Sequence, residues 1–498
     1  MALCNIGNQQ ALCEENVMKG QRNVISRRST LKGIGAVGAM GLLQSDLAAA
    51  DGHTPTANAK VPASEVRRVI AEKVNATPLI DTHEHLIEEK GRFSGHSHVR
   101  SDDWSVLLSH YLDSDLITAG MPQSDHRRFF SPDVEPADKF KLIEPYWPAV
   151  KDTGYGQAVR IACRKLYDVD DIRRETIGKI QAGYERIRKP GFYKHILCES
   201  GNIESCQVNS LEGTPFMQSA QPTLLMQDIS IVGMFAGPDI GGYAGPAGIE
   251  VTTLADWHRV IDWWFGKYGK YAVAVKSQNA YGRDIDYARV EAGKVEEVFT
   301  RRLAGQPLSG EHGKALEDHL FWYAVEKATE YNLPIKLHTG YYAGQNYMPL
   351  SRLISNAGSA CELCRNAPRA RFVFMHICYP YYEELIAVAK QWANAYVDMC
   401  WSWIINPAAA KDFLKKYLVT APANKILTFG GDYIPVEPVI GHAAIARRGI
   451  TLALAELVEE GWMTLDDAIE KADMIMHGNA RRIFDLGKKE AVLKEVTW

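Results

Sequence analysis

Apolar positions along the chain fall into two rhythms. Val66, Val69, Ile70 and Val74 recur at the three-and-four spacing of a helix face, and directly after them a short apolar run, residues 78–80, ends in polar residues. The exchange repeats. Runs at 203–208, 228–235, 271–276, 333–338, 371–376, 395–399 and 425–432 are rich in Val, Ile, Leu and Phe and have the length of buried strands. Helical periodicity separates several of them. The segment opened by Thr253 sets Leu254, Trp257, Val260, Ile261 and Trp264 on one face, with Asp256 spaced for a capping box, and 315–331 reads as a second helix. Eight strand-length runs alternating with helices predict a parallel (β/α)8 TIM barrel spanning 62–498. The stretch 86–203 reads as a long helical insertion after strand 1, carrying Trp104, Tyr111, Tyr146 and Trp147. Segments following barrel strands carry the site, so the insertion is expected to shape a substrate pocket. A separate helical domain is the alternative.

Composition narrows the class. With 46% hydrophobic residues there is ample core material, and a net charge of -4 with only short basic pairs, Arg301-Arg302 and Arg481-Arg482, excludes a phosphate-tracking surface for nucleic acid. The amino end is different. Ser26-Arg27-Arg28-Ser29-Thr30-Leu31-Lys32 precedes a small apolar run at 33–43 and Ala48-Ala49-Ala50, which resembles a twin-arginine export signal. Residues 1–50 are therefore expected to be a signal peptide and leader, with the twin-arginine translocation machinery as a partner and the periplasm as destination. The run at 33–43 is too short for a stable membrane span, which needs about 20 apolar residues. Seven of the nine cysteines lie beyond the leader, an odd number that argues against a complete disulfide framework. Cys361 and Cys364 have knuckle or redox spacing without supporting context and read as structural, with at most one disulfide. The Gly-rich stretch 237–248 lacks a following Gly-Lys-Ser/Thr and reads as a lid or spacer.

Candidate chemistry sits where the strands end. In Asp81-Thr82-His83-Glu84-His85, residues two apart on a strand share a face, so His83 and His85 can offer two imidazoles to one ion while Glu84 points elsewhere. His338, His376 and Asp432 end later runs. Any one of them could be a satisfied core group. Their joint placement makes a metal site the better reading.

Together with Lys336-Leu337-His338-Thr339-Gly340, His376-Ile377-Cys378-Tyr379-Pro380, Gly431-Asp432 and Asn479-Ala480-Arg481-Arg482-Ile483-Phe484, the first motif resembles the amidohydrolase superfamily of metal-dependent barrel enzymes, over roughly residues 74–486. The resemblance implies that His83, His85 and Asp432 bind a divalent metal with His338 as a further ligand, zinc first, one per chain. It implies further that Asp432 takes a proton from metal-activated water and that His376 bonds that water or the substrate carbonyl. Lys276 ends strand 4, where some members carry a carbamylated lysine bridging two ions. The other reading is a point charge that, with Arg283, binds an anionic substrate. Tyr341, Tyr342, Tyr379, Trp401 and Trp403 could line an aromatic mouth or pack the rim. The expected activity is hydrolysis of a small, anionic amide, ester or lactone. Decarboxylation or uronate isomerisation would use the same ligands, and an exported binding protein without turnover is the reading from another class. A homo-oligomer is compatible with all of these.

Overall fold

Leu79–Glu84, the first strand (β1), follows the helix Ala63–Ala76 (α1), whose buried Val66, Ile70 and Val74 are the periodic positions noted above. The computed structural model describes residues 62–95, 98, 101–235 and 240–498, so the signal expected at 1–50 lies outside the described residues, as does part of the Gly-rich stretch, 236–239. After the insertion come β2 (Ile203–Val208) and β3 (Leu225–Gln227, resumed at Ile229–Ser230). Then follow β4 (Val275–Ser277), β5 (Ile335–Leu337), β6 (Phe372–Met375), β7 (Ala395–Asp398) and β8 (Ile426–Leu427). Every pairing between neighbours is parallel. The open edges then meet. Thr82 N–H donates to the Phe429 carbonyl at 3.0 Å, Asp432 N–H to the His83 carbonyl at 2.9 Å, and His85 N–H to the Tyr433 carbonyl at 3.0 Å. These bonds close the sheet into the (β/α)8 barrel.

Outside the barrel run helices that follow the strands. Leu254–Tyr268 (α2) starts on the predicted box, with Thr253 and Asp256 capping each other, and buries all five apolar residues of the predicted face. Burying each contributes about 1.5–3 kcal/mol. Gly310–Glu330 (α3), Asn356–Asn366 (α4), Tyr382–Gln391 (α5), Pro407–Thr420 (α6) and Val439–Glu459 (α7) follow β4 to β8 in turn. The insertion folds into short helices, including Leu112–Thr118 and Gly154–Tyr167, the second of which packs on α7.

Several boundaries differ from the hydrophobic pattern. The third strand starts at Leu225, earlier than the run at 228–235, and Val232–Met234 is a tight helical turn, where Gly233 passes so close beneath Tyr243 that a Cβ would lie 1.9 Å from its hydroxyl. No helix separates β2 from β3, which are joined by the irregular segment 209–224. Cys361 and Cys364 are both free thiols on α4, which corrects the allowance for a disulfide between them. Their helix turns one towards the core and leaves the other half-exposed.

The foot of the barrel is closed by the carboxyl end of the chain. Ile80, Met226, Val273, Val373 and Leu427 form one cluster with Ile483, Phe484 and Leu486, while Asn479 Nδ2 donates to the carbonyls of Ala423 (2.7 Å) and Ile426 (2.8 Å). Above this plug Lys336 spans the interior. Its Nζ donates to both Asp228 oxygens (2.9 and 3.0 Å) and to the Thr82 carbonyl (2.7 Å), so the fully buried charge is compensated on every side. The side chains that carry chemistry sit at the opposite, carboxyl end of the strands.

Candidate metal centre

Strand closure brings the ligands together. Because the Asp432 amide bonds the His83 carbonyl, its carboxylate faces the two histidines that alternate along β1. Asp432 Oδ1 lies 3.1 Å from His83 Nε2 and 3.3 Å from His85 Nε2. Glu84 points away, as alternation requires, and its Oε2 accepts from the Tyr433 amide at 2.6 Å. Two glycines make room. A Cβ on Gly431 would lie 1.9 Å from Glu84 Oε1, and one on Gly430 would lie 3.0 Å from Cys400 Sγ. His376, Trp401 and Asp432, which follow β6, β7 and β8, all have left-handed backbone at φ 60, 63 and 65°. Strained non-glycine residues of this kind cost about 1–3 kcal/mol each, and their gathering at strand ends marks a site.

Carbonyl partners fix the imidazole tautomers. His85 Nδ1 lies 2.7 Å from the Asn209 carbonyl, which can only accept, so Nδ1 carries the hydrogen and Nε2 keeps its lone pair towards Asp432. His376 Nδ1 is held in the same way by the Cys400 carbonyl at 3.1 Å, and its buried Nε2 has no partner among the described residues. A carbonyl behind the ring is the usual support of a metal-ligating histidine. Burial holds His83, His85 and His376 well below the usual imidazole range, which keeps them neutral, and pushes the Asp432 carboxyl up to about 7 against the opposing pull of Lys276. Two neutral nitrogens and a carboxylate within reach of one point are a donor set that fits a divalent ion of zinc type.

The other predicted residues divide. Lys276 is buried in the site, its Nζ 3.2 Å from His83 Nε2, and burial lowers its pKa. His338 lies beside His376, ring centroids 4.4 Å apart, but its Nε2 is turned to the Tyr341 carbonyl at 2.9 Å, so Nε2 carries the hydrogen and Nδ1 the lone pair. Trp401 stands edge-on to His376 at 5.4 Å and beside Tyr341 at 5.8 Å, with its Nε1 buried and unpartnered among the described residues. Arg283 is not brought to this group. It pairs with Asp318 (2.6 Å), Glu317 (3.1 Å) and Asp286 (3.2 Å) and lies over the Tyr287 ring.

Two further neighbours carry no role assigned from the sequence, although Tyr111 is one of the aromatics named in the insertion. Tyr111, from the insertion, donates its hydroxyl to the Asp432 main-chain carbonyl and stacks between Trp401 (5.0 Å) and Tyr155 (5.2 Å). Its place in the insertion marked it as an aromatic of the pocket segment, but not its contact with Asp432. Cys400 lies two residues past the end of β7, so its nearness to a strand end was a signal of the kind that marked the histidines.

A closed parallel barrel with histidines and a carboxylate converging at its carboxyl end defines the class of metal-site barrel enzymes. The chain belongs to the Amidohydrolase family, whose model matches residues 211–486. Among solved structures, the fold is similar to a glucuronate isomerase from Caulobacter crescentus (15% identity, TM-score 0.68, covering 87% of this chain and 95% of that one). It is also similar to a uronate isomerase from Thermotoga maritima (13%, TM-score 0.67, 84% and 97%). The curated protein fluG of Emericella nidulans is 27% identical over 194 residues, 39% of this chain, and that match spans only 22% of fluG's length.

Proposed function

We propose that this protein is a metal-dependent hydrolase, with one divalent ion, zinc first, held by His83, His85 and Asp432, acting on a small anionic amide, ester or lactone. The observation that carries the reading is the convergence of both β1 imidazoles on one Asp432 oxygen at 3.1 and 3.3 Å. A divalent ion supplies Lewis acidity and brings a water's pKa towards neutrality. Asp432 contributes the base: its carboxylate lies beside both β1 imidazoles, where it can accept a proton from a water held at the same point. His376 offers an unprotonated Nε2 to a water or hydroxyl proton. Lys276 and the Trp401 N–H are buried donors that support an oxygen-rich, negatively charged ligand. Stacked Tyr111, Tyr155 and Trp401 keep bulk water from the same region.

A second reading, sugar-acid isomerisation, draws on the similarity in shape to the two uronate isomerases. Elemental analysis of full-length protein prepared without chelator, followed by a screen of amides, esters, lactones and uronic acids, tests both. Bound divalent metal with turnover of an amide, ester or lactone is expected. Turnover of uronic acids alone would replace hydrolysis by isomerisation, and a metal-free active protein would remove the reading.

A further inference from the structure

The groups assigned to chemistry are sealed from water. Lys276 is 1% exposed, His376 and Trp401 are 0% and Asp432 is 6%, so a substrate reaches them only if part of their cover moves. The cover has two sides of unequal strength. On one side Tyr111 is buried, donates to the Asp432 carbonyl and stacks between Trp401 and Tyr155, and the helix Gly154–Tyr167 that carries Tyr155 packs on α7. On the other side residues 344–349, which follow β5, reach across to the insertion on few contacts. We propose that this segment is a gating strap, which admits substrate by parting from the helix Leu112–Thr118. The inference adds control of access to the proposed metal site and rests on that reading.

The strap has a latch. Gln345 Nε2 donates to the Ser114 carbonyl at 3.2 Å and to Thr118 Oγ1 at 2.9 Å, both on the helix that Tyr111 opens. Little else holds the tip: residues 344–347 are exposed, Tyr347 by 84%, and no main-chain amide from 344 to 348 donates a hydrogen bond among the described residues. Few buried contacts and unpaired amides mark the least stable parts of a fold, from which lids are drawn.

Its base, by contrast, is fixed. The Tyr342 hydroxyl donates to the Ala280 carbonyl at 2.6 Å, and the Ala343 amide donates to the Tyr281 hydroxyl at 3.0 Å. Arg352 donates to the Tyr342 hydroxyl and to the carbonyls of Gly282 and Tyr281, each at 3.0 Å. Gly344 joins base to tip at φ 70°, where a Cβ would meet only the Asn346 side chain, at 3.6 Å, so its torsions can turn without striking a packed neighbour. Opening therefore swings the tip away while Tyr341, whose carbonyl holds His338 Nε2, stays with the base.

Access can be timed without a substrate. Zinc-loaded full-length protein is mixed with EDTA, and the rate of zinc loss, the zinc content beforehand and the melting temperature are measured. Removing two neutral hydrogen bonds shifts the balance of open and closed straps by about tenfold, so Gln345→Ala should lose zinc about tenfold faster than the wild type, with content and melt unchanged. Thr118→Cys combined with Gln345→Cys and joined by a short bis-maleimide should lose zinc about tenfold more slowly, whereas neither single-cysteine variant given the same reagent should be slowed. Gln157→Ala, which removes a bond to the Asp152 carbonyl elsewhere in the insertion, should match the wild type. One rate for all variants would overturn the strap while the metal reading stands, and equal acceleration by Gln157→Ala would overturn it in favour of loosening of the whole insertion. A wild type that holds no zinc would remove both readings.

Discussion

Replacing Asp432 by asparagine separates the metal from the chemistry. The backbone at this position is left-handed, φ 65°, a region that asparagine and aspartate enter more readily than other non-glycine residues. The amide bond to His83 that helps close the barrel is a main-chain contact and survives the change. Asp432→Asn should therefore fold normally, whereas Asp432→Ala should lose about 1–2 kcal/mol more, the left-handed cost for an ordinary residue. The asparagine keeps an oxygen that can face His83 and His85 but has no basic carboxylate. Removing a general base costs about 10² to 10⁴ in rate, roughly 3–5 kcal/mol of barrier. Melting temperature, metal per chain and kcat on the substrate found by screening are the three measurements. Expected is a near-native melt, partial metal and a collapse in kcat larger than the loss of metal explains. Full activity in Asp432→Asn would refute the assignment of the base.

Arg283→Ala should lower stability by about 1–3 kcal/mol, because Asp318 loses its guanidinium partner and keeps only Lys314 and the Ala288 amide, while KM stays unchanged; a raised KM with an unchanged melt would return Arg283 to the substrate site. Uptake of the ion should weaken about tenfold for each pH unit below about 7 and level off above it. The sign follows from competition: acid protonates Asp432, whereas the three imidazoles, held low by burial, stay neutral, so a flat metal titration across the acid-to-neutral range would exclude Asp432 as a ligand. Export is the last expectation. Replacing Arg27 and Arg28 by lysine should leave folded, metal-loaded protein in the cytoplasm, and cell fractionation that still finds it in the periplasm would remove the twin-arginine proposal.

Periodicity was enough for what depends on local alternation. A period of two puts His83 and His85 on one side of β1 and Glu84 on the other, and a capping box with a 3.6-residue stripe defines α2, so these could be read without tertiary information. The positions of His338, His376 and Asp432 were legible as strand ends, because apolar runs stop where a barrel meets its active face. What those side chains touch was not legible. The pairing of Asp432 with β1 joins residues some 350 positions apart through closure of the sheet, and no local pattern encodes that register. Arg283 shows the other limit: a cation near a strand end reads as a substrate contact until the fold sets Asp318 and Glu317 of α3 beside it. Tyr111 reaches the site only because a long insertion folds back over Asp432, and Cys400 comes to lie beside it because Gly430 leaves space across the strand ends. Local spacing determined which residues could act, and long-range packing decided which of them meet.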